Sequence, residues 1–134
     1  MSDEKVITLS EALEFDDTVH AEVKAFGGIV HLTSLSTELY TEYLSERESP
    51  VHTGHRNLLL LVYSMFTPEQ RSLPKEERLR LAAQGSLQLF KKKGIQTLSM
   101  LTNKALEIHG LKDEQKEERK NVSSEAPSDA SLTA

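Results

Sequence analysis

The strongest candidates for site chemistry in this 134-residue chain are its five histidines, His20, His31, His52, His55 and His109. Only His52-x-x-His55 has a spacing that suits a metal. It spans Thr53-Gly54 with no adjacent carboxylate or thiolate, although Glu46 and Glu48 are close in sequence. A structural zinc site needs four ligands and a catalytic one three protein ligands, so the pair reads as loop and helix-cap histidines, with no metal expected. His20 and His31 are expected to face each other across a hairpin, which strand alternation produces by itself. The chain has no cysteine, which removes disulfides, thiolate zinc and cysteine nucleophiles. The carboxylate pairs Asp16-Asp17 and Glu76-Glu77 are sequence neighbours, and on regular structure their side chains diverge. General acid–base pairs must instead converge in an apolar cleft. Gly27-Gly28 belongs to neither phosphate-binding glycine pattern, and no GxSxG elbow occurs. No catalytic residue, cofactor site or metal site is therefore assigned, and a non-enzymatic interaction protein is expected.

Composition narrows the class further. Hydrophobic residues make up 37% of the chain and aromatics 5%, without tryptophan, which is lean for a compact enzyme. The longest apolar run, Leu58 to Tyr63, falls well short of the roughly 20 residues that cross a bilayer. The opening Met-Ser-Asp-Glu-Lys lacks the chemistry of a secretory signal, so no membrane association and a cytosolic address are expected. The net charge of −5 opposes general nucleic-acid binding, which depends on neutralising phosphates. Its distribution is uneven. Residues 1–17 hold six acids against Lys5, and residues 71–93 hold seven bases against Glu76 and Glu77. Such ends can attract each other within one chain or between copies. Ordinary solvated faces account for them as well, since exposed pairs contribute little.

The elements follow from pattern. Residues 1–17 form an acidic segment in which Ser10 can cap one helical turn. From Thr18, alternation of Val19, Ala21, Val23 and Ala25 against His20, Glu22 and Lys24 marks a half-buried strand. Gly27-Gly28 supplies the turn and Ile29 to Leu32 the return strand, giving a hairpin over 18–33. Helices are expected over about 35–49, capped by Ser34 or Ser36 and ended by Pro50, then over 55–66 after a polar linker at 51–54. Thr67-Pro68-Glu69-Gln70 has the capping-box pattern. A helix over 74–93 carries Leu79, Ala82 or Ala83, Leu87 and Phe90 as its stripe. Its lysine triplet sits at the C-terminus and Gly94 is the left-handed stop. A helix over 95–109 ends in a Schellman-like Gly110-Leu111, a short one follows over 113–120, and 121–134 reads as a disordered tail. The fold class is α+β, mostly α: an N-terminal hairpin packed on about four helices, forming one domain over 18–120. Leu39, Tyr40, Tyr43, Leu87 and Phe90 are the candidate partner-binding residues, as large apolar side chains on helix stripes.

Taken in order, these segments resemble a known family. The hairpin carries Phe26-Gly27-Gly28, an apolar helix runs into Met65-Phe66-Thr67-Pro68-Glu69, and Ala105-Leu106 leads to His109-Gly110-Leu111. Asp113-Glu114 and Glu118-Arg119-Lys120-Asn121 then precede a Ser/Pro tail. The set, over roughly Thr8 to Asn121, resembles the tail assembly chaperones of long-tailed bacteriophages. Phe26 stands where that pattern has tryptophan, and Gln70 where it has aspartate. The resemblance implies a non-catalytic oligomer in the host bacterial cytoplasm. It would coat the long helical tape-measure protein, help recruit tail-tube protein and be absent from the mature virion, with a longer frameshifted form in many members. Two other readings stay open: a small head–tail or tail-completion protein retained in the particle, and a helical nucleic-acid-binding or regulatory domain using Arg78, Arg80 and the lysines.

Overall fold

Strand alternation from His20 and the glycines behind it produce two paired strands, β1 (His20–Ala25) and β2 (Gly28–Thr33). In the computed structural model, which describes residues 4–111, these form an antiparallel two-stranded sheet with Val23 opposite Val30. Every second residue of β1 is partly covered, and Val30 and Leu32 of β2 are buried. The turn differs from expectation. Ala25 pairs with Gly28, so the two turn residues are Phe26 (φ +55°) and Gly27 (φ +81°), and Gly28 belongs to β2. Positive φ at both positions matches the right-handed twist of the strands. It also leaves a bulky aromatic in the left-handed region, which costs about 1–2 kcal/mol. The Lys93 ammonium lies 5.4 Å from the Phe26 ring centre and returns about 0.5–1 kcal/mol of that. Since Asn tolerates the left-handed region, Phe26→Asn is expected to raise stability by about 0.5 kcal/mol. A lower urea midpoint for this variant would show that the ring contributes more than its backbone costs.

The helices are α1 (Leu9–Glu14), α2 (Thr37–Arg47), α3 (Leu59–Met65), α4 (Pro68–Arg71), α5 (Lys75–Lys92) and α6 (Ile95–Ile108). The molecule is mostly helical with one hairpin near its N-terminus. The segments expected over 113–120 and 121–134 lie outside the described residues.

Several boundaries move for local reasons. Thr8, not Ser10, caps α1. Its hydroxyl accepts from the Glu11 N–H, and the Glu11 side chain reaches back to the Thr8 N–H. Ser36 caps α2, which stops at Arg47 ahead of Pro50. The expected polar linker at 51–54 is partly a 3₁₀ turn, Pro50–His52, opened by the Ser49 hydroxyl, and His52 within it is buried. The helix expected from residue 55 begins with a 3₁₀ turn over Arg56–Leu58 and turns α-helical at Leu59. Gly94 is not the left-handed stop of α5. It is extended (φ −76°, ψ 152°) and serves as the residue before α6, so α5 and α6 join through two extended residues, Lys93 and Gly94. Gly110 (φ +73°) does take the left-handed position after α6. The Leu111 N–H reaches the Leu106 carbonyl at 2.9 Å and the Gly110 N–H reaches that of Glu107 at 3.0 Å. These are the two bonds of a Schellman ending.

Helix α3 is apolar all round because it is surrounded: it packs on β2, α2, α5 and α6. Leu59, Leu61 and Tyr63 are fully enclosed, together with Leu32, Leu101 and Ala105. The inward stripe of α5 is rotated from the expected one. Ala82 and Ser86 are buried and Leu81 and Leu89 pack on the core, while Leu87 is only partly covered and Phe90 is 54% exposed. Gly85 faces α3 closely, since a Cβ there would stand 3.2 Å from a Val62 methyl.

Candidate interaction grooves

Two polar clusters fix the helices that frame the surface. In the first, α2, α3 and α5 meet at Glu42. Arg78 donates to both carboxylate oxygens, Nη2 to Oε1 at 2.7 Å and Nε to Oε2 at 3.2 Å, and the Tyr63 hydroxyl donates to Oε2 at 2.9 Å. A further Arg78 N–H reaches the Leu73 carbonyl at 2.6 Å. Burial alone would raise the Glu42 carboxyl, but the hydrogen bonds from Arg78 and Tyr63 outweigh it and hold it below the ordinary glutamate value. The same burial, with the bond to Glu42, pushes the Tyr63 phenol far up. In the second cluster, His109 closes α6 onto the start of α2. Its Nε2 accepts from the Leu35 N–H at 2.9 Å, and its Nδ1–H donates to the Ala105 carbonyl at 2.7 Å. Burial holds the His109 imidazole below its usual value, which suits the neutral ring this pairing needs.

The histidine spacing noted in the sequence resolves into separate pairings. His52 Nε2 lies 2.9 Å from Glu46 Oε1, and His55 Nδ1 lies 2.8 Å from the Ser86 hydroxyl. The two rings meet edge to face at 5.4 Å. Among the described residues no cluster of three or more His, Asp or Glu side chains is arranged to hold a metal ion. His20 and His31 approach diagonally at 3.3 Å between Nδ1 and Nε2, since the register sets His20 opposite Thr33 and Glu22 opposite His31.

The basic stretch is partly spent inside the fold. Arg71 donates to the Thr33 and Ser34 carbonyls at 2.8 and 2.9 Å, holding the end of β2, and Arg78 is taken up by Glu42. Two of the seven bases read as surface charge are therefore structural.

The candidate partner-binding residues separate into four groups. Leu39 is buried and belongs to the helix interior. Tyr40 stacks on His109 at 5.9 Å and leans on Tyr43, so it packs the α2–α6 junction. Leu87 lines neither groove described below. Tyr43 and Phe90 both line one groove of 470 Å³ between α2, α6 and the turn before α3, Tyr43 as a buried core side chain and Phe90 as a half-exposed one. Leu58, Leu98 and Leu106 form its apolar floor, and Arg47 and Asn57 supply polar groups. Phe90 rests over Gly54, and a Cβ there would meet the ring at 3.8 Å, in ordinary van der Waals contact. Ile95, at the first position of α6, lines the same groove and is 77% exposed.

A second groove of 350 Å³ runs between α3–α4 and α5, floored by Val62, Met65, Phe66 and Leu89 with Lys92 and Lys93 on its rim. Leu58, Val62 and Leu98 read as core on pattern and are buried, so nothing in the sequence marks them as the floor of a groove. Ile95 falls by periodicity on the inward face of α6 with Leu98 and Ala105, yet at the first position of the helix it stands exposed.

Comparison with protein-family models, with curated proteins and with solved structures finds no match to this chain. No helix among the described residues is long and apolar enough to cross a membrane.

Proposed function

We propose that the chain is a non-catalytic tail assembly chaperone of a long-tailed bacteriophage, acting on the tape-measure protein in the host cytoplasm and helping recruit tail-tube protein. The ordered motifs from Phe26-Gly27-Gly28 to His109-Gly110-Leu111 motivate the family reading. The observation that carries the binding mode is the α2–α6 groove, with an apolar floor and two large apolar side chains, Phe90 and Ile95, left exposed on its wall. An amphipathic helix laid into such a groove buries its stripe against the floor, and its own polar face stays in water. A long tape-measure helix offers many such stripes in succession, which accounts for a chaperone that binds in many copies. Phe26 also fits, since a strained exposed residue persists where the surroundings or a function hold it.

Co-expression with the tape-measure protein of the same genome is expected to keep that protein soluble and yield a complex. Phe90→Asp and Ile95→Asp are expected to weaken the complex by roughly tenfold or more each, with thermal midpoints unchanged because both side chains are already largely exposed. Absence of any complex would overturn the proposal. Stoichiometric retention of the chain in purified particles would replace it with a structural head–tail or tail-completion role. Salt-sensitive DNA binding would favour a regulatory domain.

A further inference from the structure

The segment before the hairpin leaves its apolar side chains in water. Val6, Ile7, Leu9, Leu13 and Phe15 are all well exposed, Leu9 at 75% and Leu13 at 77%, and no residue of α1 is buried. The segment is nevertheless ordered by its own bonds. The Thr8–Glu11 capping box closes one end, and the Lys5 ammonium sits 2.7 Å from Glu11. Leu9 and Leu13, one helical turn apart, lie on the same face of α1. Glu14, Asp16 and Asp17 follow immediately. A helix this short has little stability of its own, and docking its apolar face against another surface would add to it.

We infer that this arm, residues 6–15, docks in the α3–α5 groove of a second copy of the chain. The groove is the chemical complement of the arm: an apolar floor of Val62, Met65, Phe66 and Leu89 for the leucine face, and Lys92 and Lys93 on the rim for the acids. A second copy is favoured over the arm's own domain by how the arm leaves the hairpin. Val19 is pinned to Ser34 twice, its carbonyl accepting from the Ser34 N–H at 2.8 Å and its N–H donating to the Ser34 hydroxyl at 2.9 Å. Asp16 then accepts the Thr18 N–H at 3.0 Å. The Val19 bonds fix where the arm leaves the sheet and the Asp16 bond shapes the turn before it, and in this conformation the arm's apolar side chains stand clear of their own domain. Because arm and groove are different surfaces, each copy offers one of each. The contact is heterologous: it closes if two copies exchange arms or if the rotation between copies completes a ring, and otherwise it builds an open filament.

Sedimentation velocity on the full chain is expected to show concentration-dependent association. Leu9→Asp/Leu13→Asp leaves the groove intact, and Lys92→Glu/Lys93→Glu leaves the arm intact. Each variant is expected to be monomeric alone, the arm variant with an unchanged thermal midpoint and the groove variant with one lowered slightly by loss of the Lys93–Phe26 contact, and their equimolar mixture is expected to form a one-to-one heterodimer and nothing larger. Lys92→Glu is also measured singly, since Lys93 has a second contact at Phe26. A wild-type chain that stays monomeric would overturn the inference, as would an arm variant that still assembles or a mixture that stays monomeric. None of these outcomes touches the tape-measure reading, which uses the other groove.

Discussion

Arg78→Ala is expected to destabilise the fold by about 3–5 kcal/mol, the range for stripping one partner from a buried ion pair. The Glu42 side chain is only 7% exposed and that of Arg78 14%. Truncating the arginine therefore strands a carboxylate, along with the Leu73 carbonyl that Arg78 also serves. Tyr63 keeps its bond to Glu42 but cannot neutralise the charge. Replacing the whole cluster should behave differently. Glu42→Leu/Arg78→Met is expected to recover most of the loss, because no charge is then left uncompensated. Urea midpoints with unchanged slopes measure both, and a loss below about 1 kcal/mol for Arg78→Ala would mean the pair is effectively solvated. The same cluster fixes an acid dependence. The Glu42 carboxyl is lowered in the folded state, so its contribution is complete above the ordinary value of 4.5 and disappears as pH falls through the lower folded value. The Leu/Met variant should lose less stability than the wild type over that acid window.

Leu32→Ala is expected to cost about 2–5 kcal/mol, with an effect on the hairpin beyond the global loss. Leu32 is fully enclosed on β2, where the sheet meets α3. A two-stranded hairpin has almost no stability of its own, so this side chain is a main link between the sheet and the helices. Hydrogen exchange should show the amides of β1 and β2 losing protection before those of α3 and α6. Uniform loss across all four elements would instead place the hairpin in the same cooperative unit as the helices.

The hairpin and the helices were legible where one physical signal dominated. Alternation from Ala21 to Ala25 fixed the covered face of β1, and the unbroken apolar run at Leu58–Tyr63 marked α3 as the surrounded helix. The α+β, mostly helical class follows from those two patterns. The turn was misplaced because two glycines beside Phe26 draw the positive φ angles to themselves on propensity. The observed pairing of Ala25 with Gly28 assigns one of them to the aromatic. The start of α3 was misplaced because a 3₁₀ turn and an α-turn have the same composition over three residues. For the grooves, Tyr43 and Phe90 were legible as large apolar residues on stripes. Leu39, Tyr40 and Tyr43 looked alike in sequence, and the tertiary packing of α2 on its neighbours buries Leu39 and Tyr43 and stacks Tyr40 on His109. The fate of Arg78 depended on Glu42, 36 positions earlier, and no local pattern connects them.

The bond from the Leu35 N–H to His109 joins residues 74 apart in sequence, and it orders events during synthesis. The hairpin leaves the ribosome early, and its strands can pair at once. Helix α6, which packs on both strands, is translated last among the described elements. At ordinary elongation rates that gap lasts about 4–15 s. Throughout it, Val23, Val30 and Leu32 lack part of their cover. The newly made protein thus passes through an interval in which it needs shielding itself, and the arrival of His109 at Leu35 brings that interval to an end.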